Sequence, residues 1–401
     1  MGTIAEKLTY LEGTKSAIKD AIIAKGVEVT DADTFRSYAE KIESIEAGGS
    51  CESQSKEINI TDNGTRVVTP DEGYLLDQVT VTTNVTTGKP VIPNGISFAG
   101  STWTTFDTDP YDWSQVYSGT NMFKDCTNLQ TLMGSGIENA YFLDLYSTFG
   151  NCRNLESIPK LSGKPYTLAE CFRNCTKLIE PDLSGLDFSN AVNITRMFYN
   201  TEKWVQDVDM STAPIILASY AYSFSKIDRI PKINYSKIED CSNMFEDCDS
   251  LTSVILDLPN AITIYSMFKN CSNLEEVHFT GLDYCLNVQG LFYNCQKLTT
   301  ITGLNCCNIS TLFNTFDTCL SLVNIDGLFN LGESVISNTT FSISPLQSLS
   351  RESYLNIFNT IYDFIGNGSS IRCILDVHPN AFTILSEEDI AVATAKGWTI
   401  Q

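Results

Sequence analysis

Basic residues are scarce in this 401-residue sequence: 26 Lys and Arg stand against 48 Asp and Glu, a net charge of −22. Nucleic acid is held mainly by clustered Lys and Arg, so the balance argues against a nucleic-acid partner. It fits a body that repels its own copies and most anionic surfaces. Apolar runs are short, none near the roughly 20 residues of a membrane span, and no membrane insertion is expected. The start, Met1-Gly2-Thr3-Ile4-Ala5-Glu6-Lys7, lacks a charged region, an apolar stretch and a cleavage site, so the chain is expected to be made in a cytoplasm. Two histidines, His278 and His378, are too few and too isolated for a mixed zinc site, and no CxxC has a matching second pair. No metal and no cofactor is expected, and no glycine-rich loop suits a phosphate.

Catalytic signals are equally thin. Asp182 with Asp187, and Asp207 with Asp209, are the nearest paired carboxylates. Both members of the first pair fall in a loop where Asp is more often a turn or capping residue. His278 falls in a strand candidate and His378 precedes Pro379, so neither builds a triad. The expectation is a protein that is not an enzyme.

Two helices are predicted over residues 3–46. The first carries Ile4, Leu8, Leu11, Ile18 and Ile22 at helical spacing and stops at Gly26; the second buries Phe35, Tyr38, Ala39, Ile42 and Ile45. Such a pair has little core of its own. Residues 1–47 therefore read as an anchoring or oligomerising segment, and residues 48–56 as a linker around Gly48-Gly49-Ser50. Over residues 57–94 the period changes towards 2: Glu57–Thr61 and Thr65–Thr69 flank the hairpin signal Asp62-Asn63-Gly64, and Gln78–Val85 supplies a third strand.

From residue 121 the chain repeats a unit Phe-x-x-Cys-x-x-Leu. The clean copies are Phe123-Cys126-Leu129, Phe149-Cys152-Leu155, Phe172-Cys175-Leu178, Phe245-Cys248-Leu251, Phe268-Cys271-Leu274, Phe292-Cys295-Leu298 and Phe316-Cys319-Leu322. Phe198-Thr201-Trp204 and Phe224-Ile227-Ile230 read as degenerate copies, with a faint tenth at Phe341. Successive phenylalanines lie 26, 23, 26, 26, 21, 23, 24, 24 and 25 residues apart. That period lies in the leucine-rich-repeat range, and each unit needs its neighbours to bury its apolar face. Phe, Cys and Leu at successive spacings of three suggest a helical turn packing inward. Strand candidates such as Ser253–Leu256 and Glu276–Phe279 follow it and should stack into a parallel sheet. The slot between two core positions explains seven of the 14 cysteines as reduced core thiols, with Cys306-Cys307 and Cys171–Cys175 the places where disulfides remain open. Residues 349–401 leave the period. A helix from Ser350 to Phe364, a strand over 371–377, a helix capped by Ser386 and a last strand Trp398–Ile400 make a candidate cap.

Met-Phe-x-x-Cys-x-x-Leu units, as in Asn121-Met122-Phe123, Met197-Phe198 and Ser242-Asn243-Met244-Phe245, resemble the bacterial surface protein family of leucine-rich repeats. The resemblance covers residues 95–345 and implies an α/β, leucine-rich-repeat-like right-handed solenoid over 95–348. The flanks Leu8–Ile42, Ile60–Val85 and Leu385–Ile400 are similar to segments of tailed-phage fibre and other virion appendage proteins. That likeness implies a head- or tail-fibre component on the particle surface, attached through residues 1–47 to other virion proteins. It implies a homo-oligomer too, a trimer before a dimer, presenting the repeats to a host-surface glycan or protein. The alternative is a secreted or cell-surface bacterial adhesin with the same repeats. Trp103, Tyr111, Trp113, Tyr117 and Tyr141 form the candidate exposed aromatic binding surface, with covering the open end of the repeats as the other reading. Tyr199, Trp204, Tyr220 and Tyr222 carry the same ambiguity.

Overall fold

In a computed structural model of the chain, the described residues are 52–60, 74–83 and 89–401, less 180, 203, 204 and 206. The residues proposed for the N-terminal helices (Ile4, Leu8, Leu11, Ile18, Ile22, Phe35, Tyr38, Ile42), the hairpin turn at 62–64, its second strand and Trp204 lie outside them. The chain divides into two compact units, residues 1–54 with 70–75 and residues 55–69 with 76–401. Strands β1 (Glu52–Ile60) and β2 (Tyr74–Thr83) form a two-stranded sheet.

The larger unit is built of mostly parallel sheets with few helices. In chain order come β3 (Thr105–Asp107), β4 (Thr131–Met133), β5 (Phe142–Asp144), β6 (Ser162–Thr167), β7 (Gly185–Leu186), β8 (Ser253–Leu258), β9 (Glu276–Gly281), β10 (Thr300–Thr302) and β11 (Asn324–Ile325). β3 pairs with β4, β5–β6–β7 form a second sheet, and β8–β9–β10–β11 a third, all in parallel. In β8 the side chains alternate in and out, with Val254, Leu256 and Leu258 buried and Ile255 exposed.

One repeat shows how the sequence makes this. Cys241, Met244, Phe245, Cys248 and Leu251 all point into the core with no exposed surface. Backbone bonds run three residues back: Met244 N–H to the Cys241 carbonyl, Cys248 to Phe245, Leu251 to Cys248. The expected helical turn is absent. Asn243 and Asp247 adopt left-handed φ of 55° and 57°, which an α-helix does not admit. The N–H groups of Asn243, Phe245 and Asp247 go instead to the carbonyls of Tyr265, Met267 and Lys269 in the next repeat. The backbone groups that a helix would pair internally are thus satisfied between repeats. Inward residues three apart arise from a chain of tight turns, which share that spacing with a helix.

Equivalent side chains consequently form columns. The phenylalanine column stacks ring on ring: Phe123–Phe149 at 5.6 Å, Phe149–Phe172 at 5.7 Å, Phe245–Phe268 at 5.6 Å and Phe268–Phe292 at 6.0 Å. All 21 Phe, Cys and Leu side chains of the seven clean copies are buried. Each thiol donates to the carbonyl of the aromatic residue one repeat earlier: Cys152 Sγ to Phe123 at 2.9 Å, Cys271 to Phe245 at 3.0 Å, Cys319 to Phe292 at 3.0 Å. In the two repeats without cysteine, Thr201 and Ser225 turn their hydroxyls to their own repeat's carbonyl, at Phe198 and Tyr222. The 13 described cysteines, Cys171, Cys175, Cys306 and Cys307 among them, form no disulfide with one another.

Two sequence assignments need correction. Tyr222, not Phe224, continues the ring column, at 5.3 Å from Phe198 and 5.9 Å from Phe245. The anomalous spacings of 26 and 21 thereby become 24 and 23. Phe341 lies on strand β12 (Thr340–Ser342), where its ring meets Trp398, and starts no tenth copy of the column.

Phe224 occupies a column of left-handed residues otherwise suited to Asn and Asp. Their side chains link across repeats: Asn151 Nδ2 donates to Asp125 at 2.6 Å, Asn174 to Asn151 at 2.8 Å and Asn200 to Asn174 at 3.0 Å. After the gap at Phe224, Asn270 donates to Asp247 and Asn294 to Asn270, both at 3.1 Å. Each run begins with Asp. An ionised carboxylate accepts but cannot donate, so it suits only the first position of such a ladder. We expect Phe224→Asn to raise stability by about 0.5–1 kcal/mol, through relief at φ 59° and a new bond to Asn200. A urea midpoint at or below that of the parent chain would refute this.

A second parallel ladder runs on another side of the repeats, bridging Ser118, Asp144, Thr167, Asn193, Leu217, Asp240, Thr263 and Asn287 in turn. One residue earlier, Leu143 N–H donates to the Tyr117 carbonyl, Val192 to Tyr166 and Ile216 to Val192. Glu239 donates to Ile216, Ile262 to Glu239 and Leu286 to Ile262. These residues form a continuous outer column.

The C-terminal part holds β12, β13 (Cys373–Asp376) and β14 (Trp398–Ile400) in one parallel sheet. Helix α1 (Arg351–Thr360) is capped by Ser350, which accepts from Ser353 N–H. A short helix α2 (Ala381–Ile384) precedes α3 (Glu387–Ala395), where Ser386 and Asp389 make a reciprocal capping box. Asp389 also takes two bonds from Arg351, tying the two longer helices together.

Candidate functional site

The five aromatic residues expected as one exposed surface separate in space. Trp113 is fully buried, with its indole N–H on the Thr108 carbonyl at 2.9 Å, and leaves the binding surface. Its polar edge is satisfied inside, which lets the whole ring enter the core. Trp103 and Tyr111 are half-buried, stacked on either side of Phe106 at 5.0 and 6.1 Å. Phe106 packs on Phe123 at 5.6 Å, so this group covers the first end of the ring column. Tyr117 and Tyr141 are exposed, at 42% and 50%. Tyr222 is buried in the ring column, whereas Tyr199 and Tyr220 are half-buried outside it.

The carboxylate pairs serve the backbone. Asp182 accepts from Ser184 N–H at 2.9 Å, Asp187 from Ser189 N–H at 2.9 Å and Asp209 from Ser211 N–H at 3.0 Å. Asp207 pairs with Arg229. Ser189 and Lys164 hold the Asp187 carboxyl down at about 2, and Ser184 holds Asp182 below the usual range. A general acid needs the opposite shift, one carboxyl pushed up while its neighbour stays ionised. A cleft of about 400 Å³ does lie between the two loops, lined by Leu183, Leu186, Phe188 and Val208 with Asp207 and Asp209 at its edge. His278 Nδ1 lies 2.6 Å from Thr302 Oγ1 on the outward face of the β8–β11 sheet, and Glu276 is 3.9 Å from the other ring nitrogen. His378 accepts from Asn380 N–H within a turn. No group of three or more His, Cys, Asp or Glu side chains suited to a metal occurs among the described residues. No helix among them is long and apolar enough to cross a membrane.

Sequence reasoning missed a cluster two columns from the rings. Glu170, 5% exposed, lies 3.2 Å from Arg173 and 3.6 Å from Arg196. The two guanidinium groups sit over the rings of Tyr199 at 5.9 Å and Tyr220 at 5.0 Å. Further along the same columns, buried Glu246 takes Lys269 and Asn243, each at 2.8 Å. The signal was the recurrence of charged and aromatic residues two before and one after successive rings, as in Glu170, Arg196 and Tyr220, and Arg173 and Tyr199.

Repeats with this core pattern also recur outside this chain. Residues 96–224 and 217–327 match the model of a family described as "Mycoplasma protein of unknown function, DUF285". The chain belongs to that family. The two DUF285 segments meet at 217–224, where Tyr222 replaces phenylalanine in the ring column and Phe224 interrupts the Asn ladder. No curated protein matches the DUF285 chain. Among solved structures it is similar to a leucine-rich repeat protein from Bacteroides ovatus, at 14% identity and a TM-score of 0.30, over 71% of this chain and 86% of that one.

Proposed function

We propose that the chain is a non-enzymatic phage virion appendage protein, a head- or tail-fibre component. Its repeats form a right-handed leucine-rich-repeat-like solenoid that presents an outward binding surface to a host-surface glycan or protein. Residues 1–47 attach it to other virion proteins or join copies, a trimer before a dimer. One observation carries the reading: the ring column runs unbroken from Phe123 to Phe316, repeat to repeat, as a scaffold for a long surface requires. The capped carboxylates at 182, 187 and 209 support the absence of catalysis. The family description, a Mycoplasma protein, favours the second reading, a secreted or cell-surface bacterial leucine-rich-repeat adhesin.

Light scattering on the full chain and on a chain beginning at Ser50 tests the proposal. A multimer that becomes a monomer on loss of residues 1–49 supports the appendage reading. Two monomers would remove self-assembly through that segment and leave the adhesin reading at least as strong.

A further inference from the structure

The outer column that runs from Tyr117 to Leu286 is the least expected feature of the surface. At eight consecutive levels it holds an apolar side chain seven times, with Glu239 the one exception. Tyr117, Tyr166 and Leu286 are 42, 52 and 47% exposed, and Val192 and Ile216 exceed a third. Exposed apolar residues scattered singly mean little, but a contiguous line of them marks an interaction surface. The backbone bonds between levels hold the line in register, so at about 4.8 Å per level it is roughly 34 Å long.

From this column we infer that further copies of this chain cover it, packed in parallel and in register. The inference deepens the self-association proposed above, on which it rests, and places it on the repeats. Two outward columns flank the line, one two residues before it and one a single residue after. Brought together from neighbouring parallel copies, these flanks match level by level. Pro214 meets Leu217, the one apolar residue in an otherwise polar column. Lys237 meets Asp240, the only level at which both flanks are charged, and the charges are opposite. Lys237 also lies beside the Glu239 side chains that the same packing gathers. An antiparallel arrangement sets Lys164 against Lys237 and breaks both matches.

The test uses the full chain with Cys51 and Cys307 changed to serine, since the other cysteines are buried. Pro214→Cys chains are co-expressed with Leu217→Cys chains and oxidised. A mixed disulfide is expected, and Val192→Lys/Ile216→Lys should abolish it while leaving the circular dichroism unchanged. Pro214→Cys with Thr263→Cys, two levels and about 10 Å out of register, should not cross-link. Absence of the first cross-link, or equal yield from both pairs, overturns the inference. If that happens while the full chain is a multimer and the chain from Ser50 a monomer, assembly through residues 1–47 stands alone. If the cross-link forms and the mass is indifferent to residues 1–49, the repeats assemble the protein and the N-terminal reading fails.

Discussion

Phe268→Ala should cost about 3–5 kcal/mol, against at most about 0.5 kcal/mol for Phe313→Ala. Phe268 has no exposed surface and touches three rings, Phe245 at 5.6 Å, Phe292 at 6.0 Å and Phe279 at 6.3 Å. Phe313 is 64% exposed. Removing the first ring leaves a cavity inside a column whose spacing is fixed by the bonds of Phe245 and Phe268 N–H to the next repeat, so the gap cannot close cheaply. Total stability of a domain is about 5–15 kcal/mol, so the change is a large share of it. In the proposed solenoid each repeat contacts only its neighbours, a property that a globular core lacks. A defect at Phe268 should therefore loosen the repeats after it from those before it, and urea unfolding should broaden or split into two steps. A loss below about 1 kcal/mol with a single sharp transition would show that the rings do not carry the array.

How much of this was legible depends on which residue is asked about. The Phe, Cys and Leu slots were readable, because three apolar types at fixed intervals have no other economical explanation. Phase was not. At 222–224 the pattern offers Tyr-Ser-Phe, and a rule that follows phenylalanine picks the wrong ring. Only the stacking distances separate Tyr222 from Phe224, since both are large and apolar. The turn type was hidden for a similar reason. Inward residues three apart suit a helix and a series of tight turns alike; the deciding signal was the Asn or Asp two residues after seven of the nine rings, which tolerates left-handed backbone. Trp113 reads as an amphipathic ring that could face either way, and its fate rests on one carbonyl, Thr108. By contrast Ser386 and Ser350 were legible as caps, because capping is local chemistry. The Glu170–Arg196 cluster and the Tyr117–Leu286 column escaped because they are properties of the stack, made by residues of different repeats whose side chains meet only across it.

Alkaline pH should unfold the chain well before its phenols ionise in bulk. Burial pushes the Cys285 thiol up to about 11 and those of Cys248 and Cys319 up to about 12, and it raises Cys241, Cys271 and Cys295 as well. In the unfolded chain these thiols return to about 8.5. The native state therefore keeps protons that the unfolded state gives up. The stabilisation is complete below about pH 8.5 and is lost as pH rises towards the native values. Each such thiol contributes a slope of about 1.4 kcal/mol per pH unit, so three give roughly 4 kcal/mol per unit and the domain's whole stability within about two units. Urea midpoints measured from pH 7.5 to 10.5 should be level at first and then fall steeply from about pH 9. Cys271→Ser/Cys295→Ser should flatten that fall, because Thr201 and Ser225 already place hydroxyls in the same slot and a hydroxyl does not ionise in this range. A midpoint that stays level to pH 10.5 would mean that the thiolates find water without unfolding, and that the column of cysteines is looser than its hydrogen bonds to the ring carbonyls require.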